Sequence, residues 1–208
     1  MSFNWFRQAP VKAWNQEIKF TTDTIKATLH TSTYSPNKDT HAYVSDLSNE
    51  LATGSGYTVG GLTLASCTCS YTAANSWSTT WQASTAYAVD FVIRPATGNG
   101  FLYRCAVAGT SSSAAPTWPT TVGTTVTDGG VTWECVGSGI IAFNATSPSW
   151  STATFGPCRY LVLSDRTPST AATQPLIGYF DFGSDKTGQG GAFTFNFNSQ
   201  GIAHIFVP

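Results

Sequence analysis

From Ile25 to Leu29 the chain reads Ile-Lys-Ala-Thr-Leu, the two-residue alternation of a strand with one face buried. Tyr34-Ser-Pro36 ends that strand. Beyond it, Asp39 stands as a helix N-cap, with Tyr43, Leu47 and Leu51 recurring at every fourth position as an apolar stripe, and this predicts one short helix. Gly54-Ser-Gly56 and Gly60-Gly61 then break the chain, and Leu62 to Tyr71 resumes as strand. The later half carries longer apolar segments, Ile140 to Phe143, Cys158 to Leu163, Leu176 to Phe180, Ala192 to Phe197 and Ile202 to Val207. The near-continuous run Tyr160 to Leu163 predicts a central strand covered on both faces.

Between these two sets of strands, Trp81 to Gly137 has a different texture. Aromatic residues recur at Trp81, Tyr87, Phe101, Tyr103, Trp118 and Trp133, among dense glycine, proline and serine. Strands are expected at Phe91 to Ile93, Phe101 to Val107 and Val131 to Val136, joined by turns. The pattern therefore predicts an all-β chain, a mainly antiparallel sandwich or barrel with one short helix, interrupted by an inserted small β domain. The expected boundaries are an N-terminal arm at 1–22, a discontinuous host domain at 23–76 plus 139–208, and an aromatic-rich insert at 77–138. Ser76-Trp77-Ser78-Thr79 before the insert is echoed by Ser149-Trp150-Ser151-Thr152 after it.

The arm follows neither period. It scatters Phe3, Trp5, Phe6, Val11 and Trp14 among polar residues, and such termini dock onto something. Two readings stand: packing on the chain's own sheet, or contact with a capsid or a neighbouring subunit through Phe3, Trp5, Phe6 and Trp14.

Composition narrows the partners. Only 10% of the 208 residues are charged and the net charge is −1, against about 25% charged in an ordinary soluble domain. The scattered basic residues offer no footprint for phosphates, so no nucleic acid is expected as a partner. No stretch approaches the ~20 apolar residues of a membrane span, so no membrane is expected either. The opening residues lack the basic start and apolar run of a signal peptide, which makes assembly in a cytoplasm the expectation. Five cysteines fit a reducing compartment. Cys67 and Cys69 have half of a metal-site spacing, but without a second pair at zinc spacing they read as core residues. Cys105 and Cys135 fall on strands that could pair, and they read as buried and reduced.

Candidate chemistry is sparse, and neither a catalytic residue nor a cofactor or metal site is expected. His30, His41 and His204 read as facing solvent or filling polar seams. Asp181-Phe182-Gly183 matches a kinase triplet by letters alone and reads as a strand end and turn. Asp90, Asp128 and Glu134 are the acids of the insert, and turn or edge positions explain them without glycoside hydrolysis. Trp81, Tyr87, Tyr103, Trp118 and Trp133 are candidate sugar-stacking residues that also serve as core material for a small module. Trp118, beside Pro116 and Pro119, is the one placed outward.

The flanks Asp23 to Pro36, Ser45 to Glu50, Gly54 to Tyr57 and Gly60 to Leu64, followed by Arg159 to Leu163, Pro175 to Gly183 and Gly191 to Phe195, resemble small structural proteins of tailed bacteriophages, of the capsid decoration or cement kind. The insert resembles modules of phage tail and surface proteins that open on Trp and Tyr and close on Asp-Gly-x-x-Trp. It is weakly similar to small chitin- and cellulose-binding modules, from which it departs at Val89-Asp90-Phe91. The resemblance implies a virion structural protein that binds the major capsid protein on the outside of a head as a homo-oligomer, commonly a trimer, with the insert projecting outward. It equally leaves open a tail or head-fibre adsorption protein that binds host glycan through the insert.

Overall fold

The computed structural model describes residues 2–208. The chain forms two compact units, one built from residues up to Thr68 together with Asn144–Asn198, the other from Cys69–Phe143 together with Ser199–Pro208. In chain order the first unit opens with strand β1 (Phe3–Trp5), helix α1 (Ala9–Trp14), β2 (Ile25–His30) and β3 (Leu62–Thr63). The chain then passes through β4 (Thr68–Ala73), β5 (Ala86–Tyr87), β6 (Val92–Ile93), β7 (Leu102–Val107), β8 (Gly109–Thr110), β9 (Thr125–Asp128), β10 (Val131–Gly137) and β11 (Gly139–Asn144). It returns for β12 (Ser149–Ala153), β13 (Cys158–Asp165), β14 (Leu176–Lys186) and β15 (Gly191–Thr194), and ends in β16 (Ala203–Val207). The fold is all-β and mainly antiparallel, with one short α-helix.

The first unit is organised by a five-stranded antiparallel sheet in the order β1-β14-β13-β2-β3. In its centre Leu161 faces Leu29 and Leu163 faces Ala27, all four without solvent exposure. The opposite face is covered too. There Val162 packs with Phe6, Tyr34 and Leu176, and the polar Thr28 and His30 are fully buried. The alternation in β2 therefore marks two buried faces of different polarity, not one buried and one wet. β12 and β15 pair as a separate ribbon, through which Trp150 and Phe193 join an aromatic cluster with Phe155.

The expected helix after Asp39 is absent. That segment holds one 3-10 turn, Val44–Asp46, and leaves it with Leu47 extended. Asp46 accepts the N–H groups of Ala42 and Tyr43 at 2.7 and 2.9 Å. Val44 donates to the Gln174 carbonyl and Leu51 to that of Leu29. Donors that a helix would use internally are satisfied by neighbouring segments, so tertiary pairing overrides the four-residue stripe. The helix lies instead at Ala9–Trp14, where Pro10 occupies the first turn, the one helical region that tolerates a missing N–H.

The second unit contains a four-stranded sheet, β6-β7-β10-β9, a three-stranded sheet, β16-β11-β4, and the pair β5-β8. Alternation along the strands separates two cores. Val92, Leu102 and Val136 turn to one side and join Ile140, Ala74, Trp77 and Phe206. Ile93, Tyr103, Cys105, Trp133 and Cys135 turn to the other and join Trp81 and Tyr87. The last strand, together with residues 69–76 and 139–143, all assigned from sequence to the host domain, lies in this unit, where Ile140 pairs with Phe206 and Ile141 with Ile205. Gly137 joins β10 to β11 at φ +140°, and a Cβ there would collide with the Val207 backbone, so the junction requires glycine.

Candidate interaction surfaces

Two tryptophans of the second unit, Trp81 and Trp133, converge on one carboxylate. The turn Asp128-Gly-Gly130 lies between β9 and β10, with Val131 paired to Asp128, and the Asp128 side chain is buried. Asp128 Oδ2 accepts the indole N–H of Trp81 at 2.7 Å and that of Trp133 at 3.0 Å. Oδ1 accepts the Ser112 backbone N–H at 2.9 Å and also the Ser112 hydroxyl. Burial pushes the Asp128 pKa up, but the donors of Ser112, Trp133 and Trp81 outweigh it and hold the carboxyl below its ordinary value. The anion is the polar centre of an otherwise apolar core.

This geometry assigns the candidate stacking residues. Trp133 and Tyr103 have no exposed surface, and Trp81 and Tyr87 are buried beside them. Tyr87 meets Trp133 edge-on at 4.8 Å. The Tyr103 hydroxyl donates to the Pro119 carbonyl at 2.8 Å and accepts from Asn99, while Gln82 N–H donates to the Tyr87 hydroxyl at 2.7 Å. Four of the five rings are thus core, and a ring enclosed on both faces has no surface for a sugar. Trp118 is half-buried, tilted on Tyr103 at 4.5 Å with Trp133 at 6.1 Å behind it.

Asp90, Asp128 and Glu134 all have partners within their own unit. Arg104 on β7 pairs with Glu134 on the adjacent β10 at 2.5 Å and with Asp90 at 3.4 Å. Cys105 and Cys135 are buried and free, Cys105 opposite Trp133 and Cys135 opposite Tyr103 in the ladder. Cys67 and Cys69, expected in a core, are half-buried and exposed respectively; Cys67 precedes β4, and Cys69 lies among the first four residues of that outer strand, all in solvent. Among the described residues no group of His, Cys, Asp and Glu is placed to hold a metal ion, and no helix is long and apolar enough to cross a membrane.

The four N-terminal candidates separate sharply. Phe6 is fully buried against Tyr34, Val162 and Leu176, so it is a core residue of its own unit and not a contact for a partner. Phe3 and Trp5 are half-buried, Phe3 lying edge-on to Phe180 at 5.1 Å and covering Gly178. Trp14 is 90% exposed at the end of α1, with Val11 on the same helix 53% exposed. The helix is anchored by Lys12, whose ammonium sits 3.7 Å above the Tyr43 ring and pairs with Glu17 at 3.1 Å. Tyr71, 58% exposed on β4, is a surface residue that no sequence motif marks.

Each histidine has a hydrogen-bond partner within the chain. His30 contacts the Ser48 carbonyl through Nδ1 at 2.8 Å and the Thr28 hydroxyl through Nε2 at 3.0 Å. His41 lies 3.0 Å from the Tyr34 hydroxyl, and His204 Nε2 is 2.8 Å from the Gln200 carbonyl. No family model, no curated protein and no solved structure matches this chain.

Proposed function

We propose that this chain is a virion structural protein of the capsid decoration kind, attaching to the major capsid protein on the outside of a phage head. The observation that carries the reading is Trp14, an indole 90% exposed on a helix held in place by Lys12. Large exposed aromatics on an anchored element are what protein interfaces use as anchors. Phe3, Trp5 and Val11 supply further apolar surface on the same N-terminal segment. Low charge and a β framework suit a protein that acts by covering joints between other subunits, for which an interface above ~1,000 Å² suffices.

Adsorption to host glycan is the second reading, and Trp118 alone favours it, since it is only half-buried while Trp81, Tyr87, Tyr103 and Trp133 are buried. Cryo-electron microscopy of particles from the cell that makes this protein separates the two. Density on the icosahedral shell, lost when Trp14→Ala replaces the natural chain, is the expected result. Density confined to the tail, or on no particle, overturns the decoration reading.

A further inference from the structure

Sheets guard their outer strands by shortness, charge or proline, because an outer strand presents a row of unpaired backbone donors and acceptors. The outer strands of the five-stranded sheet follow this rule, with three residues in β1 and two in β3. So does β6, with two. β4 does not. It is six residues long, Thr68-Cys-Ser-Tyr-Thr-Ala73, without charge or proline, and its first four residues are exposed. It is one of the two outer strands of the sheet β16-β11-β4, and the more exposed of them, since β16 is mostly buried or half-buried.

The face beside this edge is apolar. Ile140 and Phe206 are paired and turn inward to the core, so Gly139, Ile141 and Ile205 turn outward. The Tyr71 ring lies over Gly139, close enough that an added Cβ would meet it at 2.5 Å. Tyr71 therefore shares the outward face, 58% exposed, with Ile205 36% exposed. None of the three strands contains Asp, Glu, Lys or Arg.

We propose that β4 is an interface with a second copy of this chain, the two β4 strands pairing antiparallel across a two-fold axis and continuing each sheet into the other. The charge pattern suits this occupant. A two-fold sets a strand against itself, and like charges directly opposite are destabilising. β4 offers none, and a net charge of −1 per chain adds little repulsion between copies. Pairing also brings Tyr71 of each copy near its equivalent, where aromatic cross-strand neighbours are favourable. The inference is independent of the virion reading.

Light scattering on the purified full chain over a wide concentration range tests it, together with a short bismaleimide cross-linker on a Cys67→Ser background. A dimer joined through Cys69 is expected. Tyr71→Lys places like charges across the axis and raises the dimer dissociation constant about tenfold or more, while Tyr71→Phe leaves it unchanged. Circular dichroism checks that the lysine variant is folded, and Cys69→Lys gives the same reading if it is not. A chain that stays monomeric at every concentration, a dimer indifferent to both charged variants, or failure of Cys69 to cross-link overturns the proposal.

Discussion

Trp81 and Trp133 donate their indole N–H groups to the same oxygen, Asp128 Oδ2, at 2.7 and 3.0 Å. One residue opens the module and the other closes it, so a single carboxylate ties its two ends together. An amide in place of that carboxylate has one acceptor oxygen where two are needed, and its NH2 group would face a donor. Asp128→Asn is therefore expected to destabilise the second unit by about 2–4 kcal/mol. Chemical denaturation followed by tryptophan fluorescence measures this, and a midpoint equal to wild type would show that the indoles do not depend on the charge.

The same carboxylate sets an acid limit. Its folded pKa lies below the ordinary value despite burial, because Ser112, Trp133 and Trp81 donate to it. Stability from Asp128 is then complete above the unfolded pKa of about 4 and is lost as pH falls through the lower folded value. Unfolding free energy measured from pH 6 downward should drop in that acid range for wild type. Asp128→Asn should drop less, since it has no proton to take up there.

How far the sequence discloses this arrangement depends on the range of the interactions. The period-2 pattern of β2 and the unbroken run Tyr160 to Leu163 are local, and β13 is central and buried as that run requires. The aromatic spacing of the module also marks its strands. What the spacing cannot show is that Trp81 and Trp133 turn their polar edges to one buried acid, because Trp81 is remote in sequence from Asp128 and meets it only in the fold. The stripe Tyr43, Leu47, Leu51 misleads for the same reason, since its backbone partners Gln174 and Leu29 are remote in sequence. Phe6 and Trp14 look alike in sequence, yet only Phe6 lies over the sheet face that Val162 provides.

Each unit carries a histidine with a depressed pKa. For His30 burial is the main cause, with Arg166 adding to it, while the Ser48 carbonyl and Glu50 oppose it. For His204 burial again outweighs the Gln200 carbonyl and Asp90. The Ser48 carbonyl can only accept, so Nδ1 of neutral His30 donates and Nε2 accepts from Thr28. An unfolded histidine protonates near pH 6.5 while these resist, so stability is full above about pH 6.5 and falls below it. The slope is at most about 1.4 kcal/mol per pH unit for each group. Denaturation of wild type and His30→Gln between pH 8 and 5 should show the first unit losing that slope in the variant and the second keeping it.

Thiol reactivity should follow exposure. Burial raises the pKa of all five cysteines and pushes Cys158 up to about 12. Cys69 is exposed, Cys67 half-buried, and Cys105, Cys135 and Cys158 are buried. Maleimide labelling read by mass spectrometry should modify Cys69 first, then Cys67, and the other three only when the chain opens. Early labelling of Cys105 or Cys135 would show that the module's core is open to solvent.

Phe6 and Trp14 give the sharpest contrast on the N-terminal segment. Phe6 is buried against Tyr34, Val162 and Leu176 and lies 5.4 Å from the Tyr179 ring. Phe6→Ala removes a filled volume that its rigid neighbours cannot close, and should cost about 3–5 kcal/mol in denaturant unfolding. Trp14 is 90% exposed, so Trp14→Ala should change stability by no more than about 0.5 kcal/mol. If Trp14 anchors a partner, the second substitution alone abolishes attachment in a particle-binding assay while the free chain melts as before. Attachment retained by Trp14→Ala at wild-type affinity would remove the N-terminal helix from the interface.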